Sequence, residues 1–250
     1  MKILVDVGNT NTSIAFSERG RILKKFFIKS AKKEVAPRAL KRLLGEGISK
    51  ASEIVVVQVV PGFFEMLRKN LEKVAGGVPL RLVGRDITVP MDINYRDPSE
   101  VGQDRLVTAY GGFRVYGAPL IMIDFGTAVT FDFVGPGGSY EGGFIFPGLR
   151  IALEALSSKA ALLPRIQLSP TGEIPGKDTE NSMNSGVLYG FSGACDGIIE
   201  KLKAGISPVP KVIATGGDAS LIAGHTGQID GVHPDIVFES LDILSGADRP

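Results

Sequence analysis

Ile3-Leu4-Val5-Asp6-Val7-Gly8-Asn9-Thr10-Asn11-Thr12-Ser13-Ile14-Ala15-Phe16 runs from a buried-strand pattern into a polar, glycine-containing loop and back into strand. A turn at Glu18-Arg19-Gly20 follows, and Arg21 to Ile28 reads as a third strand. The loop therefore joins two strands of a meander. A Walker or dinucleotide-binding loop would run from strand into helix, so neither of those nucleotide folds applies. Beyond the meander the texture is α/β: a helix over Glu34 to Leu44, a strand at Ile54 to Val60, a helix from Gly62 to Val74 and a short strand at Leu80 to Val83.

The opening stretch has an internal echo. Ile121-Met122-Ile123-Asp124-Phe125-Gly126-Thr127-Ala128-Val129-Thr130-Phe131-Asp132-Phe133-Val134 aligns on it without gaps, with strand, Asp, Gly and Thr in step. The second copy also continues through a glycine turn, Gly135-Pro136-Gly137-Gly138, into a strand at Gly142 to Ile145. Two matched halves predict a pseudo-symmetric pair of domains facing one cleft. The boundary is expected near residues 115–119, at the end of a helix starting around Val101, which gives domains over 1–117 and 118–250. Helices at Leu149 to Ser157 and Asn184 to Ala204, a strand at Lys211 to Ala214 and a Gly216-Gly217 turn into a helix complete the second half.

The 44% apolar content of 250 residues supports a large core. Lys plus Arg, 28 in all, balance 27 Asp plus Glu, so no global field favours nucleic acid or a membrane surface. The single cysteine, Cys195, excludes an internal disulfide framework and a cysteine-based zinc site. With no apolar leader and no apolar run long enough to span a bilayer, a cytoplasmic protein is expected. His225 and His233 lack metal-ligand spacing and read as solvated loop positions, and Lys24-Lys25 and Lys32-Lys33 as solvated faces. Gly186, Gly190, Gly193 and Gly197 point to a close helix contact, either in the core or at a subunit interface.

Each loop has two readings. A carboxylate at a strand end followed by Gly8, Asn9, Thr10, Asn11 and Thr12 offers donors to phosphate oxygens, with Asp6 suited to a hydrated divalent cation. The same residue types also make an ordinary polar turn. Recurrence at Asp124-Phe125-Gly126-Thr127 favours the phosphate reading.

Paired phosphate loops on two similar halves resemble the actin/Hsp70/sugar-kinase superfamily, and Thr215-Gly216-Gly217 resembles its adenosine element. Within it the chain resembles type III pantothenate kinases. The match is carried by Asp6 to Thr12, Asn94-Tyr95 with Pro98, Gly102-Gln103-Asp104-Arg105, Asp124 to Ala128 with Thr130, Gly142 to Gly148, and Gly176-Lys177-Asp178-Thr179 followed by Ser185-Gly186. Two positions depart from the pattern: Gln58, and Phe238-Glu239-Ser240-Leu241. The resemblance implies two ribonuclease H-like α/β domains with mixed sheets flanked by helices, and phosphorylation of pantothenate by ATP with Mg²⁺. It implies Asp104 as general base, with Tyr95, Gly102, Gln103, Arg105 and Thr179 around the substrate. ATP is expected at Asp6, Val7, Gly8, Asn9, Thr10, Asn11, Thr12, Ser13 and Thr127, a monovalent cation (potassium or ammonium) at Asp124, and a homodimer. The residues alone leave alternatives at two of these places: a charged first helical turn for Asp104-Arg105, and a core ring for Tyr95. A kinase for another acceptor and an ATP-binding regulatory protein are the competing functional readings.

Overall fold

The structure is a computed structural model that describes residues 1–30, 37–170 and 174–247. Its described residues fall into two compact units, each built on a five-stranded mixed sheet.

In the first unit β1 (Lys2–Val7), β2 (Asn11–Glu18) and β3 (Arg21–Lys29) form the antiparallel meander read from the sequence. The two central residues of the β2–β3 turn, Arg19 and Gly20, both have positive φ, the geometry whose twist matches a two-residue hairpin. After α1 (Pro37–Leu44), β4 (Glu53–Gln58) pairs parallel with β1. Then α2 (Pro61–Ala75) leads to β5 (Leu80–Leu82), parallel to β4. Pro61 opens α2 with its fixed φ, and Gly76 closes it in the left-handed conformation. The sheet order is β3-β2-β1-β4-β5. Central strands β1 and β4 are buried on both faces, hence their continuous apolar runs. Edge strand β3 carries Lys24 and Lys25, which discourage edge pairing. Ile3, Val5, Ile14, Val56, Leu67 and Leu71 build a core under α1 and α2. Glu34, with Lys32 and Lys33, lies outside the described residues.

The helix expected near Val101 is α3 (Gln103–Tyr116), and the unit boundary falls inside it, between Gly111 and Gly112. In the second unit β6 (Leu120–Phe125), β7 (Ala128–Val134) and β8 (Tyr140–Pro147) repeat the meander. Helices α4 (Leu149–Lys159) and α5 (Thr179–Lys203) precede β9 (Lys211–Thr215), and α6 (Ala219–Ala223) precedes β10 (Gly231–Val232). The order β8-β7-β6-β9-β10 is the first sheet's order over again. Ile121, Ile123, Phe131, Leu188, Phe191 and Val212 centre its core against α4, α5 and α6.

Two expectations need correction. First, the units are not contiguous at 117/118. The final helix α7 (Ile236–Ala247) belongs to the first unit, where it packs on β1 and β4 with Phe238, Leu241 and Leu244 buried. A Cβ at Gly111 would lie 2.6 Å from the Cβ of Ser240, so glycine on α3 and a small residue on α7 let the two helices approach. Lys2 Nζ on β1 fixes α7 further through Asp242 at 3.1 Å, whose Oδ1 also accepts from Ser17 Oγ at 3.0 Å. Conversely, Asp92–Tyr95 belongs to the second unit, where Asn94 N donates to Tyr140 O and Tyr140 N to Asp92 O, both at 2.8 Å.

Second, the echo is not gapless. Asp6 pairs with Ser13 and Val7 with Thr12, whereas Asp124 pairs with Thr130 and Phe125 with Val129. The second loop is one residue shorter, so Ser13 and Thr130 are equivalent and buried Thr12 matches buried Val129. A one-residue slip would exchange the two faces of the strand, and burial selects the register.

Candidate active site

In the first unit the loop after β1 is fixed by backbone bonds. Gly8 N donates to Asn11 O at 3.1 Å, and Ser30 N donates to Thr10 O at 2.9 Å. A Cβ at Gly8 would stand 3.0 Å from Asn11 O, so the tight turn favours glycine there. Asn9, Thr10 and Asn11 are exposed, while Asp6 and Ser13 sit opposite one another, half-buried, at the loop's root. Val7 and Thr12 are buried, and Thr12 Oγ1 lies 3.0 Å from Ser30 Oγ. Thr12 thus turns its hydroxyl inward, and of the run 6–13 the exposed donors are those of 9–11. Gln58, one of the two departures from the family pattern, stands beside Val7 in the β1–β4 register. Its Oε1 is buried with no hydrogen-bond partner among the described residues.

Asp104 occupies the first turn of α3, where the helix N-terminus favours a carboxylate. Burial nevertheless pushes its pKa above the ordinary carboxylate value, against the opposing influence of the Arg105 backbone and guanidinium. Its place depends on Gly102, where a Cβ would come within 2.5 Å of Asp104 Oδ1. Gln103 packs in the same way on Gly84, a positive-φ glycine just past β5. The Gly-Gln-Asp-Arg run is therefore a helix start whose leading glycine makes room for the carboxylate.

In the second unit Asp124 ends β6 and Thr127 is exposed in the loop. A Cβ at Gly148 would lie 2.1 Å from Thr127 O and 2.8 Å from Gly126 O. Gly148 caps α4, so the start of an 11-residue helix lies directly against this loop, an arrangement suited to phosphate. On the other side, a Cβ at Gly216 would meet Asp124 Oδ1 at 2.3 Å and Phe125 O at 2.6 Å. With φ at +92°, Gly216 brings Thr215-Gly216-Gly217 against the Asp124 strand end. Asp218 N then donates to Phe125 O at 3.3 Å, and Asp218 Oδ1 accepts from Arg150 on α4 at 2.8 Å. The second loop, the α4 start and the Thr-Gly-Gly turn form one cluster.

Tyr95 lies on the segment bridged to β8, with its ring against Gly142. A Cβ at Gly142 would approach the ring to 3.3 Å. Asn94 Nδ2 donates to Glu141 Oε2 at 2.8 Å, which anchors the segment. Tyr95 is 39% exposed, which rules out the core-ring reading. Thr179 begins α5, whose cap Asp178 accepts from Asn181 N at 2.8 Å; that backbone bond holds the Asp178 pKa below the ordinary value. Thr179 lines a cavity of about 600 Å³ with Leu156, Leu163, Lys177, Met183 and Val187. The structure thus places Asp6 to Ser13 and Gly102 to Arg105 on the first unit, and Tyr95, Asp124, Thr127 and Thr179 on the second. The sequence marked Gly148 as part of a family motif and Gly216 as part of an adenosine element, but not that both lie against the second loop, a contact that depends on long-range packing.

Two sheets of identical strand order, each with an acidic strand end and a glycine loop, define the two-domain α/β fold shared by actin-like ATPases and sugar kinases. Solved structures bear out the fold. One is (R)-2-hydroxyglutaryl-CoA dehydratase component A of Acidaminococcus fermentans, with TM-score 0.54, 14% identity and coverage of 96% of this chain and 94% of that one. Another is the ethanolamine utilization protein EutJ of Carboxydothermus hydrogenoformans, with TM-score 0.56, 14% identity and coverage of 97% and 89%. Within that class the chain belongs to the type III pantothenate kinase family, whose model matches residues 2–201. The type III pantothenate kinase of Geotalea uraniireducens (strain Rf4) is 38% identical over 255 residues, 100% of this chain and 99% of that protein. That of Geobacillus sp. (strain WCH70) is 38% identical over 250 residues, covering 98% and 96%.

Proposed function

We propose that this chain transfers the γ-phosphoryl group of ATP to the primary hydroxyl of pantothenate, giving 4′-phosphopantothenate and ADP, the opening step of coenzyme A synthesis. The observation that carries the reading is the seat of Asp104: a half-buried helix-start carboxylate with a raised pKa, in space that only glycine at 102 leaves open. Asp104 takes the hydroxyl proton as that oxygen bonds to the γ-phosphorus and the bond to the β-phosphate oxygen breaks. Arg105 supplies a fixed cation for the pantothenate carboxylate or the moving phosphoryl group. Asn9, Thr10 and Asn11 donate to phosphate oxygens, as does Thr127 at the α4 start, and Asp6 holds hydrated Mg²⁺, which neutralises phosphate charge. Tyr95 and Thr179 contact pantothenate.

Asp124 fits a monovalent cation. One carboxylate beside the hydroxyls of Thr130 and Thr215 balances a single charge, and Mg²⁺ would dehydrate reluctantly against neutral oxygens. A homodimer through α5 is part of the same reading. Among the described residues a Cβ at Gly186, Gly190, Gly193 or Gly197 would meet nothing within 4 Å, and all four glycines are exposed, which favours an interface over core packing. No helix of the described residues is long and apolar enough to cross a membrane. A cytoplasmic location is proposed with the pathway.

The test is ADP release dependent on pantothenate, compared with other hydroxyl and carboxylate acceptors, with and without potassium. Asp104→Asn lowers kcat by about 10²–10⁴-fold. Full turnover in that variant removes Asp104 from its role, and release driven better by another acceptor reassigns the substrate.

A further inference from the structure

Asp132 on β7 is 1% exposed and Tyr140 on β8 is fully buried, yet neither is a residue the phosphoryl transfer uses. Tyr140 donates its phenol proton to Asp132 Oδ1 at 2.7 Å. Thr130 donates its hydroxyl proton to Asp132 Oδ2 at 3.0 Å. A carboxylate only accepts, and a threonine hydroxyl has one proton and two lone pairs. With its proton committed to Asp132, Thr130 has nothing to donate to a phosphate oxygen and can offer other groups lone pairs only.

The register says where those lone pairs are. Thr130 is the direct cross-strand neighbour of Asp124, and Asp124 is in turn level with Thr215 on β9. Residues level on adjacent strands point to the same face, with Cβ atoms about 4.5–5.5 Å apart in an antiparallel pair. Thr130, Asp124 and Thr215 therefore form a row of oxygen-bearing side chains across three strands, and Asp132 is two residues along from Thr130 on the same face.

We infer that the Thr130 hydroxyl is a ligand of the cation held at Asp124, and that the buried Asp132–Tyr140 pair positions it as an acceptor. Asp132 and Tyr140 act through Thr130 and touch neither substrate nor ion. The inference rests on the reading of Asp124 as a monovalent-cation ligand.

The experiment titrates the full-length protein with KCl, at ionic strength held constant by choline chloride, and follows thermal unfolding without nucleotide or pantothenate. Potassium raises the midpoint of the wild type. Thr130→Val raises the half-saturating potassium concentration roughly tenfold and Thr130→Ser restores it, because serine keeps the lone pairs. Asp132→Asn shifts it by about tenfold as well, since its amide now donates to Thr130 and turns that proton towards Asp124. Should Asp132→Asn fail to fold, the Thr130 pair carries the test. A Thr130→Val protein that is less stable at every concentration but keeps the wild-type potassium midpoint overturns the inference. So does a wild type whose stability ignores potassium. Pantothenate-dependent ADP release in the same preparation separates that outcome from failure of the kinase reading itself.

Discussion

Gly102→Ala is the perturbation that most directly probes the seat of Asp104, the proposed general base. The added methyl would stand 2.5 Å from Asp104 Oδ1, against the 3.4 Å at which ordinary van der Waals contact begins, so the carboxylate must withdraw by about 1 Å. Gly102 does not occupy the positive-φ region, so alanine brings no backbone strain. Restricting the unfolded chain stabilises by about 0.4–1 kcal/mol, which offsets part of the local crowding. The expected result is a near-unchanged unfolding temperature with kcat/KM down about 10²-fold, the loss a 1 Å misplacement produces. In transition-state terms that is about 2.7 kcal/mol. Pantothenate-dependent ADP release measures the first quantity and thermal unfolding the second. Wild-type kcat/KM in a folded Gly102→Ala protein would refute the claim that the carboxylate position is set by the glycine.

Three further outcomes follow from the same geometry. The acid limb of kcat/KM reports Asp104 in the free enzyme and should lie above the ordinary carboxylate value; Arg105→Met removes a charge that lowers this pKa, so the limb moves to higher pH. Because the folded pKa of Asp104 is raised, the native state binds more protons than the unfolded chain between the unfolded value, 3.8, and the raised one. Stability therefore falls as pH rises through that window, and Asp104→Asn, which removes the buried charge, should unfold at a higher temperature at neutral pH while losing activity. Gly190→Leu, placed where a side chain meets no described residue of its own chain, should leave the fold intact and abolish the proposed homodimer in light scattering; a dimer that persists in the variant puts the interface elsewhere.

Much of this was legible in the sequence because its signals are local. Ile3 to Val5 and Ile121 to Ile123 are apolar runs cut by Asp-x-Gly, and such a run with a polar break is a strand end wherever it falls. The helix expected from Gly62 begins one residue earlier, at Pro61. The loop length was not legible. Thr12 and Thr130 are the same residue type, so an ungapped match looks sound, and only burial shows that Thr12 corresponds to Val129. The final helix α7 was not read as an element at all, and nothing local in its sequence says which sheet will cover it. Its Phe238-Glu239-Ser240-Leu241 run makes sense once Ser240 is seen against Gly111. Tyr95 was singled out by family resemblance, but its attachment to β8 rests on long-range backbone bonds that no short pattern encodes.

The glycines sort the site from the surface by what occupies the volume where a side chain would be. At Gly102 that volume holds the Asp104 carboxylate, at Gly148 the Thr127 carbonyl, and at Gly216 the Asp124 carboxylate. Of these three only Gly216 has a backbone that itself demands glycine, so the others are fixed by the functional atom they admit. At Gly186, Gly190, Gly193 and Gly197 no described residue fills that volume. A helix-interior glycine costs roughly 0.8–1 kcal/mol relative to alanine, so four on one helix amount to a sizeable destabilisation that no close contact among the described residues offsets. That imbalance is removed if a second copy of the chain lies close against α5. The same contrast in local volume that supports the proposed roles of Gly102, Gly148 and Gly216 supports the proposed homodimer through α5.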